Sequence, residues 1–512
     1  MADDSYALRT SLFAGVRDRP LLKGLLALLA GGALPLAFAP VAWAWLAVIA
    51  LAAFFALVAQ PSRRQALCSA YLFGLGYFGV GVSWVYISIS EYGNGPLVAV
   101  PATAAFVSLL ALFPWSAAYL VRRLRPEMDG VALWLGLPMA WVLSEWARTW
   151  FLTGFPWLFI GYSQVDTTLA SVAPVFGVLG VSLLVALLAG GLAWVLLGPS
   201  LRRVAAAGGV LVAVLAGSQL LDREWTQPAA EPLDAALLQG NIGQGQKWDP
   251  DYRNVTLERY QALTEQQLGA DIVIWPEAAI PMWYDQATEY LAGLETLADQ
   301  AGTSLMVGVP VREANGRNYN AVVSLSDPSE FYYKRHLVPF GEYVPFRDLL
   351  GSALDVLGAP MSDFTPGRKA PVLQAAGVPV GAFICYEAIF GAEVTELLPE
   401  AQLLVNISND AWFGRSLGPL QHFQMVRMRA IETGRDLLRA TNTGVTAAIG
   451  HEGKVIKRAP QFEVATLSVE VTPRTGATPY VRWRDWPVLG LIALGLGLLL
   501  VSRIRRHQRA GT

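Results

Sequence analysis

Two hydrophobic patterns divide this chain. Over the first 225 residues, and again near 486–502, apolar side chains run in long blocks separated by short polar links. Eight such blocks, at 22–39, 41–59, 66–90, 97–121, 130–150, 168–197, 204–221 and 486–502, approach the roughly 20 residues an α-helix needs to cross a bilayer. The block at 204–221 is the weakest, being rich in Ala and Gly. From Pro232 to Pro473 the pattern changes to short β-type runs alternating with helical stretches. Strands are predicted over Ala235–Gln239, Asp271–Trp275, Ser304–Val309, Ala321–Leu325, Val378–Ile384, Leu403–Ile407 and Val445–Ile449. Amphipathic helices are predicted at Tyr252–Gln267, Glu289–Ala301 and Leu420–Thr433. Strands alternating with helices of this length specify an α/β layered domain. Three parts are therefore expected. Residues 1–225 form a multi-pass α-helical membrane domain of about seven spans, 226–480 an extramembrane α/β domain, and 481–512 a last span with a basic tail.

Composition agrees: 54% of residues are hydrophobic and 15% charged, which points away from an ordinary soluble chain. The positions of the cations set the orientation. Arg9, Arg17, Arg19 and Lys23 cluster at the N-terminal tail, and further cations occupy alternate links: Arg63 and Arg64; Arg122, Arg123 and Arg125; Arg202 and Arg203. The tail carries Arg503, Arg505, Arg506 and Arg509. By the positive-inside rule both termini are cytoplasmic. Seven spans then place the α/β domain on the opposite side, the periplasm of a bacterium, with the chain held in the inner membrane. A basic tail, an apolar stretch and Ala37-Phe-Ala39 also fit a cleavable signal peptide, but Pro35 and Pro40 suit a tight turn between two retained spans.

Of two cysteines, Cys68 opens a span and Cys385 ends the predicted strand Val378–Ile384. A lone thiol in an oxidising compartment is a liability unless it has a use. The four histidines are scattered without metal-ligand spacing, so no metal or other cofactor is expected, and no nucleic-acid partner. Two more charged residues lie beside predicted strands. Glu277 ends Asp271-Ile-Val-Ile-Trp-Pro-Glu277, and Lys334 lies in Tyr332-Tyr-Lys334-Arg-His-Leu-Val-Pro-Phe-Gly-Glu342. An acid, an amine and a thiol so placed form a candidate covalent catalytic set. Alone, Cys385 reads as a small core residue and Lys334 as a solvated strand-end charge. Glu145 and Arg148, one helical turn apart near a membrane boundary, read either as a structural ion pair or as functional.

The order Glu277, Lys334, Cys385, within Trp-Pro-Glu, Tyr-Lys-Arg-His-Leu-Val-Pro-Phe-Gly-Glu and Ile-Cys-Tyr-Glu, resembles the nitrilase superfamily. Other motifs resemble more specifically its membrane-embedded branch, the apolipoprotein N-acyltransferases. They are Gln239-Gly-Asn-Ile with Lys247-Trp248-Asp249, Asn406-Ile-Ser-Asn-Asp-Ala-Trp-Phe-Gly414, and Gly154-Phe-Pro-Trp-Leu with Gly161-Tyr-Ser-Gln164. The resemblance spans nearly the whole chain and implies an α-β-β-α sandwich for the extramembrane domain. It also implies transfer of an acyl chain from a glycerophospholipid, typically phosphatidylethanolamine, to the α-amino group of an N-terminal diacylglyceryl-cysteine. Cys385 would be the nucleophile, Glu277 the general base and Lys334 the oxyanion partner of a ping-pong scheme through a thioester. A membrane-tethered amidase using water as acceptor is the alternative. A monomer is expected.

Four further residues are candidates for the substrate site. Glu342, in the turn Pro339-Phe-Gly-Glu, is aimed towards Lys334. Glu387 either holds Lys334 or Cys385 in place or forms a structural salt bridge. Trp248 and Tyr386 either line the lipid entrance or fill the core. Between Leu337 and Pro366, the residues Phe346, Leu349, Leu350, Ala353, Leu354 and Leu357 share one helical face. That stripe either meets lipid, as a lid or a membrane-dipping element, or packs on the membrane domain.

Overall fold

The computed structural model describes residues 19–92, 95–325, 329–344 and 363–510. The apolar stripe from Phe346 to Leu357 and the cations Arg9 and Arg17 lie outside them. The described residues fall into two compact units.

The first unit takes its described residues from 19–83, 100–223 and 483–510. Among the described residues, five helical stretches are long and apolar enough to cross a membrane: Pro20–Ala37, Pro96–Leu124, Thr168–Leu197, Leu201–Leu221 and Trp486–Arg506. The blocks expected at 41–59 and 130–150 contain the shorter helices Trp45–Val58 and Leu137–Ala147. The helices Pro20–Ala33 and Arg63–Gly81 meet backbone to backbone. A Cβ on Gly76 would lie 2.1 Å from the Leu28 carbonyl oxygen, so this approach requires glycine.

Between Leu137–Ala147 and the long helix Ala173–Leu197 the chain is irregular, with positive φ at Leu152, Thr153, Gly154 and Leu158. Such backbone survives among apolar helices only if its polar groups find partners within the protein. Glu145 and Arg148, both buried and 4.0 Å apart, supply them. The Glu145 carboxylate accepts from Ile160 N–H at 2.8 Å and from the Trp141 indole at 3.0 Å, and Arg148 donates to the Trp157 carbonyl at 2.7 Å. Tyr77 donates its hydroxyl to the Leu158 carbonyl. The pair therefore braces the Gly154–Gln164 motifs, in keeping with a structural ion pair.

The second unit comprises 224–482 together with described residues of 84–99. The block expected at 66–90 breaks after Gly81. Its second helix, Trp84–Tyr92, packs with the α/β unit, its rings against Trp412 and Phe413 and its Ser88 hydroxyl donating to the Trp412 carbonyl at 2.8 Å.

Fourteen strands are described in this unit: β1 Gln227–Pro228, β2 Leu233–Gln239, β3 Ile272–Ile274, β4 Ser304–Arg312, β5 Asn318–Leu325, β6 Glu330–Tyr333, β7 Leu373–Ala375, β8 Val378–Ile384, β9 Leu403–Ser408, β10 Leu437–Thr441, β11 Ala447–Ile449, β12 Val455–Arg458, β13 Ala465–Val471 and β14 Arg474–Thr475. β1 and β14 pair with each other, and the rest form two six-stranded sheets, ordered β13-β2-β3-β4-β5-β6 and β12-β11-β10-β9-β8-β7. Strand alternation sorts the layers. In β2, Ala235 and Leu237 face the second sheet in a core shared with Val380, Ile384, Leu403 and Leu438. Ala236 and Leu238 face the other way, with Tyr260, Leu291 and Leu294 of the helices Arg253–Glu265 and Thr288–Ala301. Phe423, Val426 and Ala430, from the helix Gly418–Thr433, join the shared core from the second sheet's side. The layering is the expected α-β-β-α sandwich.

The strands β1, β6, β7, β10, β12, β13 and β14 are not among those the sequence predicts. β10 contains Arg439, which interrupts its apolar run, and β12 is exposed along its whole length. Neither reads as a buried strand until its neighbours are known.

Candidate active site

Glu277 follows β3 through Trp275-Pro276, and proline ends the ladder there. Trp275 is fully buried, stacks on Tyr260 with ring centroids 4.8 Å apart, and donates its indole N–H to Thr264 at 3.0 Å. On β4, Gly308 leaves room for this turn: a Cβ there would lie 2.2 Å from the Pro276 carbonyl oxygen and 2.9 Å from Glu277 Cα. Lys334 extends β6 by one residue, its N–H donating to the Asn320 carbonyl at 2.8 Å. Glu342 closes the turn after Val338 and accepts the Val338 N–H at 2.8 Å.

These three side chains meet. Lys334 Nζ, 1% exposed, lies 3.2 Å from Glu277 Oε1 and 2.9 Å from the Glu342 carboxylate. Asn320 joins both acids, donating from Nδ2 to Glu277 Oε1 at 2.7 Å and to Glu342 Oε1 at 3.0 Å. The other Glu277 oxygen accepts the Asn409 N–H at 2.8 Å. A second buried amine is present: Lys247 Nζ donates to the Glu277 carbonyl at 2.9 Å.

Cys385 is the first residue after β8, in the left-handed region at φ 51°, where a five-residue 3₁₀ turn begins. An L-residue held there is strained, and such strain collects at functional sites. The turn is clamped to the Lys334 segment by Glu387, which is buried and accepts Ile384 N–H at 2.6 Å, Arg335 N–H at 2.6 Å, His336 N–H at 3.2 Å and the Tyr332 hydroxyl at 2.9 Å. Glu387 thus ties the thiol-bearing turn to the amine-bearing strand through main-chain bonds. Replacing it with Gln sets an NH2 group against an N–H donor whichever way the amide is turned. An expected loss of about 1–3 kcal/mol follows, measurable as a lower unfolding temperature in detergent.

Electrostatics fix the resting protonation states. Burial pushes the Cys385 thiol up to about 12, the Glu277 charge adds to the effect and Lys334 opposes it. Burial alone would raise Glu277, but the Lys334 and Lys247 ammoniums and the Asn320 amide outweigh it and hold the carboxyl below its ordinary value. Burial likewise works against the Lys334 ammonium, yet Glu277 and Glu342 keep it charged well beyond its usual range. Lys247 is lowered to about 8 by burial, against the pull of Glu277. At neutral pH the set is a thiol, a carboxylate and an ammonium, the charge states that proton removal from a nucleophilic thiol would require.

The remaining two candidates are chain neighbours of site residues, Trp248 of Lys247 and Tyr386 of Cys385. Trp248 follows Lys247 with its ring half exposed, whereas Tyr386 is buried and its ring contacts those of Phe390 and His336, with centroids 5.3 and 5.7 Å away. The sequence reading missed Asn320 and Lys247 as parts of the site. Asn320 left only a weak signal, a polar residue immediately before the predicted strand Ala321–Leu325. Lys247 left none beyond its place in a motif.

The chain from 30 to 191 matches the apolipoprotein N-acyltransferase N-terminal domain, and 234–480 matches the carbon-nitrogen hydrolase domain. A Methylococcus capsulatus protein named apolipoprotein N-acyltransferase is 49% identical over 95% of this chain and 97% of its own. Proteins of the same name from Azotobacter vinelandii and Pseudomonas syringae pv. tomato are 43% and 42% identical, over 95% and 94% of this chain and 96% and 97% of theirs.

Proposed function

This chain belongs to the apolipoprotein N-acyltransferase family, and from that premise we propose how its residues carry out the acylation of lipoproteins. The enzyme is an acyltransferase of lipoprotein biosynthesis with a nitrilase-like catalytic unit. The observation that carries the mechanism is the buried Glu277–Lys334–Glu342 cluster, of which Glu277 and Lys334 act electrostatically on the Cys385 thiol.

In the first half-reaction, Cys385 Sγ attacks the ester carbonyl of a glycerophospholipid while Glu277 takes the thiol proton. Lys334 Nζ, with the Tyr386 N–H, receives the charge that develops on the carbonyl oxygen. The C–O bond then breaks, Glu277 returns the proton to the departing lysophospholipid hydroxyl, and an acyl thioester remains. In the second half, the α-amine of a diacylglyceryl-cysteine attacks the thioester and Glu277 accepts its proton. The C–S bond breaks, and thiol and amide result. Ester and thioester are of similar energy, and the amide is far more stable, so no nucleotide is needed. The lysophospholipid leaves before the amine arrives, which makes the scheme ping-pong.

Phosphatidylethanolamine is the proposed donor and a monomer the proposed active form. The cation distribution supports cytoplasmic termini and a periplasmic catalytic unit.

Intact-protein mass spectrometry after incubation with phosphatidylethanolamine, without acceptor, tests this reading. The expected result is a gain of one acyl chain, released by hydroxylamine, absent from Cys385→Ala, and discharged by a diacylglyceryl-cysteine peptide. A wild-type enzyme that binds the lipid and stays unmodified removes the covalent mechanism. Discharge by water as fast as by the peptide favours the amidase.

A further inference from the structure

The mechanism leaves unused a buried polar network that ends on the nucleophile's own backbone. His422, on the helix Gly418–Thr433, has its Nε2 3.1 Å from the Cys385 carbonyl oxygen. Its Nδ1 lies 3.1 Å from Arg439 Nη2 and 3.2 Å from Asp410 Oδ1. Arg439 Nη2 donates to Asp410 Oδ2 at 2.8 Å, and the Ser408 hydroxyl donates to Asp410 Oδ1 at 2.8 Å. Arg439 also donates to Asn406, whose amide donates to the Phe383 carbonyl at 3.1 Å, in the strand leading to Cys385. All five side chains are at most 1% exposed.

Chemistry selects the tautomer. A carbonyl oxygen only accepts, so Nε2 carries the proton and donates to Cys385. Burial and the neighbouring guanidinium lower the His422 pKa, which keeps the ring neutral. Nδ1 then offers a lone pair, and the Arg439 N–H fills it. Arg439 therefore holds the imidazole in the tautomer that grips the nucleophile's carbonyl, while Asp410 holds Arg439.

We propose that His422 is a positioning residue for acyl transfer: its Nε2–H fixes the Cys385–Tyr386 peptide and thereby aims the Tyr386 N–H at the developing oxyanion. The same peptide group carries the gripped carbonyl at one end and the Tyr386 N–H at the other. A hydrogen bond to the carbonyl polarises the group and strengthens its N–H as a donor. It also secures the left-handed Cys385 backbone, whose rotation would turn both the thiol and that N–H. No proton passes through His422: its Nε2–H is held by the Cys385 carbonyl, and its Nδ1 faces Arg439 and Asp410. This role rests on the thioester mechanism proposed above.

The test uses full-length enzyme in detergent, with phosphatidylethanolamine as donor and single-turnover acylation of Cys385 followed by mass spectrometry. His422→Phe removes the donor, His422→Asn leaves an amide near the Nδ1 position and out of reach of Cys385, and His422→Gln carries an N–H to about the Nε2 position. Acylation is expected to slow about 10–100-fold in the Phe and Asn variants and to stay within about threefold of wild type in Gln. The lipid concentration at half-saturation should not change. A fatty aldehyde, which adds to the thiol to give a tetrahedral adduct bearing the same oxyanion, should lose affinity by the same factor as the rate. Equal slowing in the Gln and Asn variants, a wild-type rate in the Asn variant, or an effect confined to half-saturation overturns the proposal. A wild-type enzyme that forms no thioester overturns the underlying mechanism instead, so the two failures are distinct.

Discussion

Replacing Glu277 with Gln is expected to slow acylation of Cys385 by about 10²–10⁴-fold, with phospholipid binding retained. A thiol pushed up by burial and by the Glu277 charge is almost wholly protonated at pH 7. Attack therefore depends on a base that removes the proton as the C–S bond forms. Glu277 is ionised for that task because Lys334 and Lys247 outweigh its burial. Gln keeps an oxygen for Asn320 and Lys334, turns its NH2 group towards the Asn409 N–H, and accepts no proton. What remains is the small thiolate fraction, so the variant's rate should climb about tenfold per pH unit above neutrality, while wild type stays nearly flat there. Single-turnover acylation by rapid quench and mass spectrometry, from pH 6 to 9, separates the two. A variant within tenfold of wild type, with a flat profile, would take Glu277 out of the mechanism.

Replacing Lys334 with Met should cost both rate and stability. The ammonium lies between Glu277 and Glu342, and all three groups are largely buried. Its loss removes an oxyanion partner, worth about 10²–10³ in rate. It also leaves two carboxylates sharing Asn320, which strips away the charge that keeps Glu277 ionised and raises its pKa. The acid limb of the rate profile should therefore move to higher pH. Breaking a buried charge cluster in this way costs about 3–5 kcal/mol. The sign follows from the shifts. Glu277 is depressed, so its share of stability is present above the ordinary carboxyl value of 4.5 and is lost as pH falls through the lower folded value. Lys334 is elevated, so its share is present below 10.5 and is lost as pH rises through the higher folded value. Adding Glu342→Gln to Lys334→Met removes one of the two opposed carboxylates and should restore part of the melting temperature without restoring the rate. Recovery of both together would mean that Lys334 acts only as a structural counter-ion.

The layered catalytic unit was legible because its central strands are continuous apolar runs, and a run that stops at Pro276 or Cys385 marks the strand end where a side chain is presented. Strands whose burial depends on partners were not legible. Arg439 makes β10 look polar until Asn406, Asp410 and His422 gather around it. The same holds for the helix Trp84–Tyr92, which continues an apolar block in sequence yet joins the α/β unit through Trp412 and Phe413, more than 300 residues away.

Sequence alone determined the two hydrophobic regimes, the alternation that builds the sandwich, and the Glu277, Lys334 and Cys385 candidates, because each is a local property of spacing and side-chain chemistry. Tertiary structure decided that Lys334 lies between two carboxylates, that Asn320 and Lys247 belong to the site, and that Glu387 joins two main-chain segments instead of forming a salt bridge. It also decided the protonation states. Those depend on burial and on charges brought within about 3 Å by residues 57 and 8 positions apart along the chain, which no local pattern records.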